Sequence, residues 1–147
     1  MSLSADDLQR VVKTIWSTQL GFELDVAEPA ALAPLLSDEN TVLTSINFAG
    51  DFNGRLEQRC SHHVSLSAAA AAFAGTGNDL EISDIRDTVA EMAHMTAGNL
   101  KSILAENCEV CTPDAHGSSS AKESIIAEAA FIFEGEPLIV DVIREDC

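Results

Sequence analysis

Residues 41–61, TVLTSINFAGDFNGRLEQRCS, decide how the chain is read. Two strand-like runs, TVLTSINFAG and GRLEQRCS, flank DFN, and the Asn53-Gly54 step falls where they meet. Both residue types tolerate positive φ, so the step is a strong hairpin signal and predicts two antiparallel strands. A second hairpin is expected near the C-terminus, where ESIIAEAAFIF and PLIVDVIR, rich in β-branched and aromatic residues, are joined by EGE.

Around these hairpins the spacing turns helical. Residues 4–20, SADDLQRVVKTIWSTQL, open with Ser4 and carry Asp7 three places on, an acidic relative of the capping box. Leu8, Val11, Val12, Ile15 and Trp16 then recur at helical intervals until Gly21. AEPAALAPLLSDEN, with Pro29 and Pro34, reads as a connection holding a short helical turn. SLSAAAAAFAG predicts a short helix in close contact with a neighbour, stopped by Gly75, Gly77 and Asn78. A long helix opens near Asp84 and runs to about Leu104, followed by a short strand over CEVCTP and a loop over DAHGSSS. Helices mixed with antiparallel hairpins, without regular βαβ alternation, predict an α+β fold. Two long helices should pack on a largely antiparallel sheet, in a single domain spanning residues 1–147.

Composition narrows the function classes. The 24 acids against 8 bases give a formal charge of −16, which repels a nucleic-acid backbone, and no basic cluster reverses it locally. No apolar run reaches the roughly 18 residues of a membrane span. The N-terminal MSLSADDLQRVV has acids where a secretory signal would have bases, so a cytoplasmic location is expected. The 4 cysteines are then expected to be reduced thiols.

The long helix carries the functional signal. With Glu91 as origin and about 100° per residue, Asp87, His94 and Gly98 fall within roughly 60° of it, and Lys101 slightly beyond. Ile85, Val89, Met92, Thr96, Leu100 and Ile103 gather on the other side. Two acids and an imidazole should therefore form an outward stripe, beside a glycine that leaves room for an approaching surface. On periodicity alone such a stripe is an ordinary solvated helix face.

SINFAGDFNGRLEQRCS, DIRDTVAEMAHMTAGNLKSIL and CTP together resemble the CheX branch of the CheC-type chemotaxis phosphatases, from about residue 40 onward. In that family a helix carries Asp or Ser, Glu four residues later, Asn three after that, then a Gly-Asn pair and a downstream proline. Asp87, Glu91, Gly98-Asn99 and Pro113 match this pattern, and His94 stands where the family has asparagine. The resemblance implies removal of a phosphoryl group from the aspartate of a CheY-like response-regulator receiver. Glu91 would pair with the receiver's lysine, and residue 94 would orient the attacking water, with Asp87, Gly98 and Lys101 supporting the contact. It implies no cofactor bound by this chain, since Mg²⁺ would come with the receiver. It also implies a homodimer formed through the sheets, for which the strands near residues 124–144 would supply an edge.

An amide offers an acceptor for water and a donor for a phosphoryl oxygen together. Neutral imidazole also has one of each, on a larger ring whose nitrogens point apart, and protonation removes the acceptor on mild acidification. Two readings therefore stand: a phosphatase with imidazole in place of the amide, or a receiver-binding module without hydrolysis.

Other residues rank lower as sites. Cys108-x-x-Cys111 with His116 lacks the second ligand pair of a structural zinc site. It also follows a strand, where a redox motif would open a helix. His62 and His63 face apart, as neighbours on a regular element do. Phe52 sits at the hairpin tip, where exposure would make it a contact residue without making it a site, and Asn99 is expected to turn toward the buried side and satisfy backbone groups.

Overall fold

The computed structural model describes residues 3–36, 39–73, 80–110 and 122–146. The first helix, α1 (Ala5–Leu20), is capped as its sequence requires. Ser4 Oγ accepts from the Asp7 amide at 3.1 Å, and the Asp7 carboxylate accepts from the Ser4 amide at 3.2 Å. The Ser4 amide, with the Arg10 guanidinium and the Ser4 hydroxyl beside it, holds the Asp7 carboxyl below its usual range. Gly21, at φ 74°, closes the helix, whose Leu8, Val12, Ile15 and Trp16 are buried.

Among the described residues, α2 (Pro29–Leu32) follows, continued by a 3-10 turn over Ala33–Leu35, then α3 (His62–Ala72) and α4 (Ile82–Leu104). The strands are β1 (Asp25–Ala27), β2 (Thr41–Gly50), β3 (Gly54–Ser61), β4 (Cys108–Val110), β5 (Lys122–Phe133) and β6 (Glu136–Asp146). They form one antiparallel sheet in the order β1-β5-β6-β3-β2-β4. This is the expected α+β architecture, with the long helices α1 and α4 packed on one face.

Alternation along the central strands sorts the sheet's two faces. Ile46, Phe48, Leu56, Cys60, Leu138, Val140 and Val142 enter the main core with Leu8, Trp16, Val64, Val89 and Leu100 from the helices. On the other face Leu32 of α2 covers Ala130 and Ile139 in a small second cluster. Gln58, fully within the main core, donates from Nε2 to the Val89 carbonyl at 2.9 Å and so fixes α4 against β3. In α3, Ser65, Ala68 and Ala69 are completely buried, and these small side chains let its backbone approach α4 closely. The alanine-rich helix begins earlier than its composition suggests, because Ser61 caps it by accepting from the Val64 amide at 3.2 Å.

Both expected hairpins form, with a correction to the first. Neither Asn53 nor Gly54 has positive φ; Gly50 does, at 108°. Gly54 is required by proximity, since a Cβ there would collide with the Ile143 carbonyl of β6. The positive-φ pair stands in the second hairpin instead, at Glu134 (φ 53°) and Gly135 (φ 80°), as a two-residue type I′ turn demands.

Nor is Phe52 the exposed residue that its place at the tip would allow. It is 5% exposed, sits edge-on to Phe48 at 5.7 Å between centroids, and lies under the Arg144 guanidinium at 5.9 Å. The hairpin tip folds its aromatic ring inward because the core continues beneath the turn. The strands near residues 124–144 are not both an edge: β6 lies between β3 and β5, and only the outer side of β5 is open, where β1 covers Ala130 to Ile132. Among the described residues, no helix is long and apolar enough to cross a membrane.

Candidate functional site

α4 begins where the Asp84 carboxylate accepts from the Glu81 amide at 3.0 Å and the Asp84 amide donates to the Glu81 backbone carbonyl at 3.0 Å. Ile85, Thr88, Val89, Met92, Ala93, Thr96, Ala97 and Leu100 are buried along one side. The hydroxyls on that side return to their own helix: Thr88 donates to the Asp84 carbonyl and Thr96 to the Met92 carbonyl, each at 2.8 Å. Both hydroxyl donors on the buried side are therefore spent within the helix.

The opposite side presents Asp87, Glu91, His94, Gly98 and Lys101, all exposed as the helical spacing predicts. Asp87, Ala90, Glu91 and His94 line a shallow depression of about 330 Å³. Among the described residues, the side chains of Asp87, Glu91, His94 and Lys101 have no hydrogen-bond or ion-pair partner within the chain. Asp87 and Glu91 stand at i and i+4, an arrangement of like charges that costs an isolated helix about 0.2–0.5 kcal/mol.

Gly98 adds to the same pattern. A Cβ at this position would meet nothing within 4 Å, so no internal contact demands a glycine in the middle of α4. Glycine there costs about 1 kcal/mol relative to alanine. Asn99 is exposed, which corrects the expectation that it turns inward: its amide donates to the Met95 carbonyl at 2.8 Å along the solvated surface.

Several other expectations lie elsewhere. Pro113, Cys111 and His116 fall outside the described residues. Cys108 is half-buried on β4, while burial pushes the Cys60 thiol up to about 12, which leaves it protonated and inert at neutral pH. His62 and His63 open α3 on its exposed side, and His63 Nε2 lies 3.0 Å from Glu134 Oε1 at the β5–β6 turn. Among the described residues, no three His, Cys, Asp or Glu side chains gather as a possible metal-ligand set.

The stripe can take a cation on its carboxylates and can offer one donor and one acceptor at His94. It is open on a convex helix, so it suits a reacting group brought in by another macromolecule better than a small molecule that must be enclosed. Fold and site thus define an α+β protein with an exposed polar helix face whose acids and imidazole have no partner among the described residues.

Comparisons with known proteins give that class a family. The family model for chemotaxis phosphatase CheX matches residues 42–133, more than half of the chain. The chain belongs to the CheX family. Similar solved structures include CheX from Desulfovibrio desulfuricans, at 19% identity and TM-score 0.71, covering 96% of this chain and 98% of that one. CheX from Vibrio vulnificus has 19% identity and TM-score 0.70, with 93% of each chain covered. A CheX-CheY-BeF3-Mg²⁺ complex from Borrelia burgdorferi has 16% identity and TM-score 0.66, with 94% of this chain and 96% of that one covered. At these identities the likeness to the solved structures is one of fold. No match was found among curated proteins.

Proposed function

We propose that this chain removes the phosphoryl group from the aspartate of a CheY-like receiver domain, with Glu91 and His94 as the operative pair. The observation that carries this reading is the side-chain set Asp87, Glu91 and His94, which lines one depression, lacks internal partners and stands at the family's motif positions. The relative solved with a CheY, BeF3 and Mg²⁺ supports the partner class; trifluoroberyllate stands in for a phosphoryl group.

Glu91 takes the receiver's lysine in a charge-assisted hydrogen bond, which sets the register of the two proteins. Asp87, one turn before it, adds negative charge that attracts the same cation. Gly98 lets the receiver surface approach α4, and Lys101 meets it at the far end of the stripe. His94 accepts a hydrogen bond from water through one ring nitrogen. The water oxygen attacks phosphorus, the bond from phosphorus to the aspartyl oxygen breaks, and aspartate and inorganic phosphate result. Such a reaction depends on positioning and charge neutralisation more than on covalent chemistry from the helper protein. Mg²⁺ belongs to the receiver.

A second reading keeps the docking and omits the hydrolysis, and the observation favouring it is the larger imidazole at the family's asparagine position. The decay of a phosphorylated, Mg²⁺-loaded receiver separates the two. We expect this protein to accelerate decay and His94→Ala to lose about 100-fold or more of that acceleration, the lower end of the typical range for a side chain acting on the attacking water. No acceleration by the parent, with receiver binding retained and hydrolysis gained by His94→Asn, would establish the binding module. The CheX assignment further supports a homodimer, and the open outer side of β5 is the edge available for pairing the sheets.

A further inference from the structure

On the other flank of the Asp87–Glu91 ridge, α4 borders a second depression, about 350 Å³ in volume. α1 stops at Leu20 and α3 at Ala72, and both ends fall beside the first half of α4. The gap between them is floored by Met92, walled by Leu20, Met95 and Phe73, and rimmed by Asp87 and Glu91. Met92 is buried, Leu20 and Met95 are half-buried, and Phe73 is 42% exposed. Among the described residues, no basic side chain lines the gap. It is therefore a largely apolar groove, with Gln19 and Thr88 as its neutral polar lining, whose charged lining residues Asp87 and Glu91 are shared with the depression that holds His94.

We propose that this groove anchors the receiver through a large apolar side chain flanking the cation that pairs with Glu91. The proposal rests on the receiver reading above and adds to it where the binding energy comes from. Charge complementarity selects the occupant, because an apolar segment lacking a neighbouring cation would leave both rim carboxylates unmatched. The two depressions lie on opposite flanks of one helix, so their occupants are separated by no more than about 10–12 Å, the width of a helix with its side chains. One protein surface can fill both. Methionines suit such a seat because their unbranched thioethers adapt to the shape of an incoming side chain. The division is functional: the polar flank meets the reacting phosphoryl group, and the apolar flank contributes affinity that is the same before and during reaction.

The test is a KM-against-kcat split with two variants, Met95→Gln and Phe73→Ser, measured on the phosphorylated receiver alongside equilibrium titration with the trifluoroberyllate-loaded receiver. We expect KM and Kd to rise about tenfold in each, with kcat at saturation changed less than about twofold. Thermal unfolding identifies any variant that fails to fold. For that case a photo-crosslinking amino acid placed at Phe73 gives a second readout, expected to join this chain to the receiver. Unchanged KM and Kd in folded variants, or a crosslink only to a second copy of this chain, would overturn the groove while leaving the phosphatase reading intact. A parent that neither binds the receiver nor speeds its decay would overturn both.

Discussion

On the outer face of the sheet Glu128, Asp141 and Glu57 stand on one rung of three adjacent strands, β5, β6 and β3, whereas Asp87 and Glu91 stand one turn apart on α4. The sheet acids are tied into the fold. Arg59 reaches Asp141 at 3.2 Å, and Arg55 reaches Glu57 at 2.8 Å and Glu145 at 2.9 Å. Asp141 is only 3% exposed, and burial, with a hydrogen bond to the Glu128 carboxyl next in effect, pushes it up to about 7. The helix acids have no such partners among the described residues. The difference teaches that a formal charge of −16 is not one quantity: part of it is neutralised inside the fold, and part stands unpaired on an exposed helix face.

The largest effect should come from the sheet acids. A carboxyl pushed up to about 7 keeps its proton in the folded chain while an ordinary unfolded carboxyl has already lost one near pH 4. Between those values the folded state binds more protons, so stability falls as pH rises, by at most about 1.4 kcal/mol per pH unit and by a few kcal/mol in all. Below about 4 and above about 7 this contribution is flat. Asp141→Asn should remove most of that slope while its side-chain oxygen still accepts from Arg59. Urea midpoints at pH 5 and pH 8 check this, and a slope unchanged in the variant would break the contrast from the sheet side.

The two regions also differed in how far the sequence disclosed them. The stripe on α4 was legible because an amphipathic helix repeats every 3.6 residues, and one period placed Asp87, Glu91, His94, Gly98 and Lys101 together. The hairpins were legible from their composition, yet Gly54 owes its identity to the Ile143 carbonyl on a strand some ninety residues away, which local turn chemistry cannot reveal. The same holds for Phe52, turned inward onto Phe48. β1 is three residues long and too short to show a period. The groove beside Glu91 depends on where α1 and α3 end relative to α4. Met92 read correctly as a core residue, but nothing in its spacing showed that the core opens above it.

Gly98 gives a smaller effect that sharpens the comparison. Gly98→Ala should stabilise the protein by about 1 kcal/mol, because alanine favours the helix and the added methyl meets open space. If the glycine serves an approaching surface, receiver affinity should fall several-fold in the same variant. A more stable protein that binds the receiver as tightly as the parent would remove Gly98 from the docking face.

The smallest change in stability should accompany the loss of the helix acids themselves. Asp87→Asn and Glu91→Gln each relieve the like-charge pair on α4, so each should raise stability by about 0.2–0.5 kcal/mol or leave it unchanged. Their effect on the receiver should be opposite in sign and larger. Losing a charge-assisted bond to the receiver's lysine costs about 1.5–3 kcal/mol, which is roughly a 10- to 150-fold rise in Kd for Glu91→Gln. Asp87→Asn, which removes only supporting charge, should cost less, and its deficit should shrink as salt screens the interaction. Thermal unfolding and receiver titration on the same samples read both sides. If Glu91→Gln destabilised the fold, this acid would belong with Asp141 as an internal group; if affinity stayed unchanged, the exposed stripe would be no more than a solvated helix face.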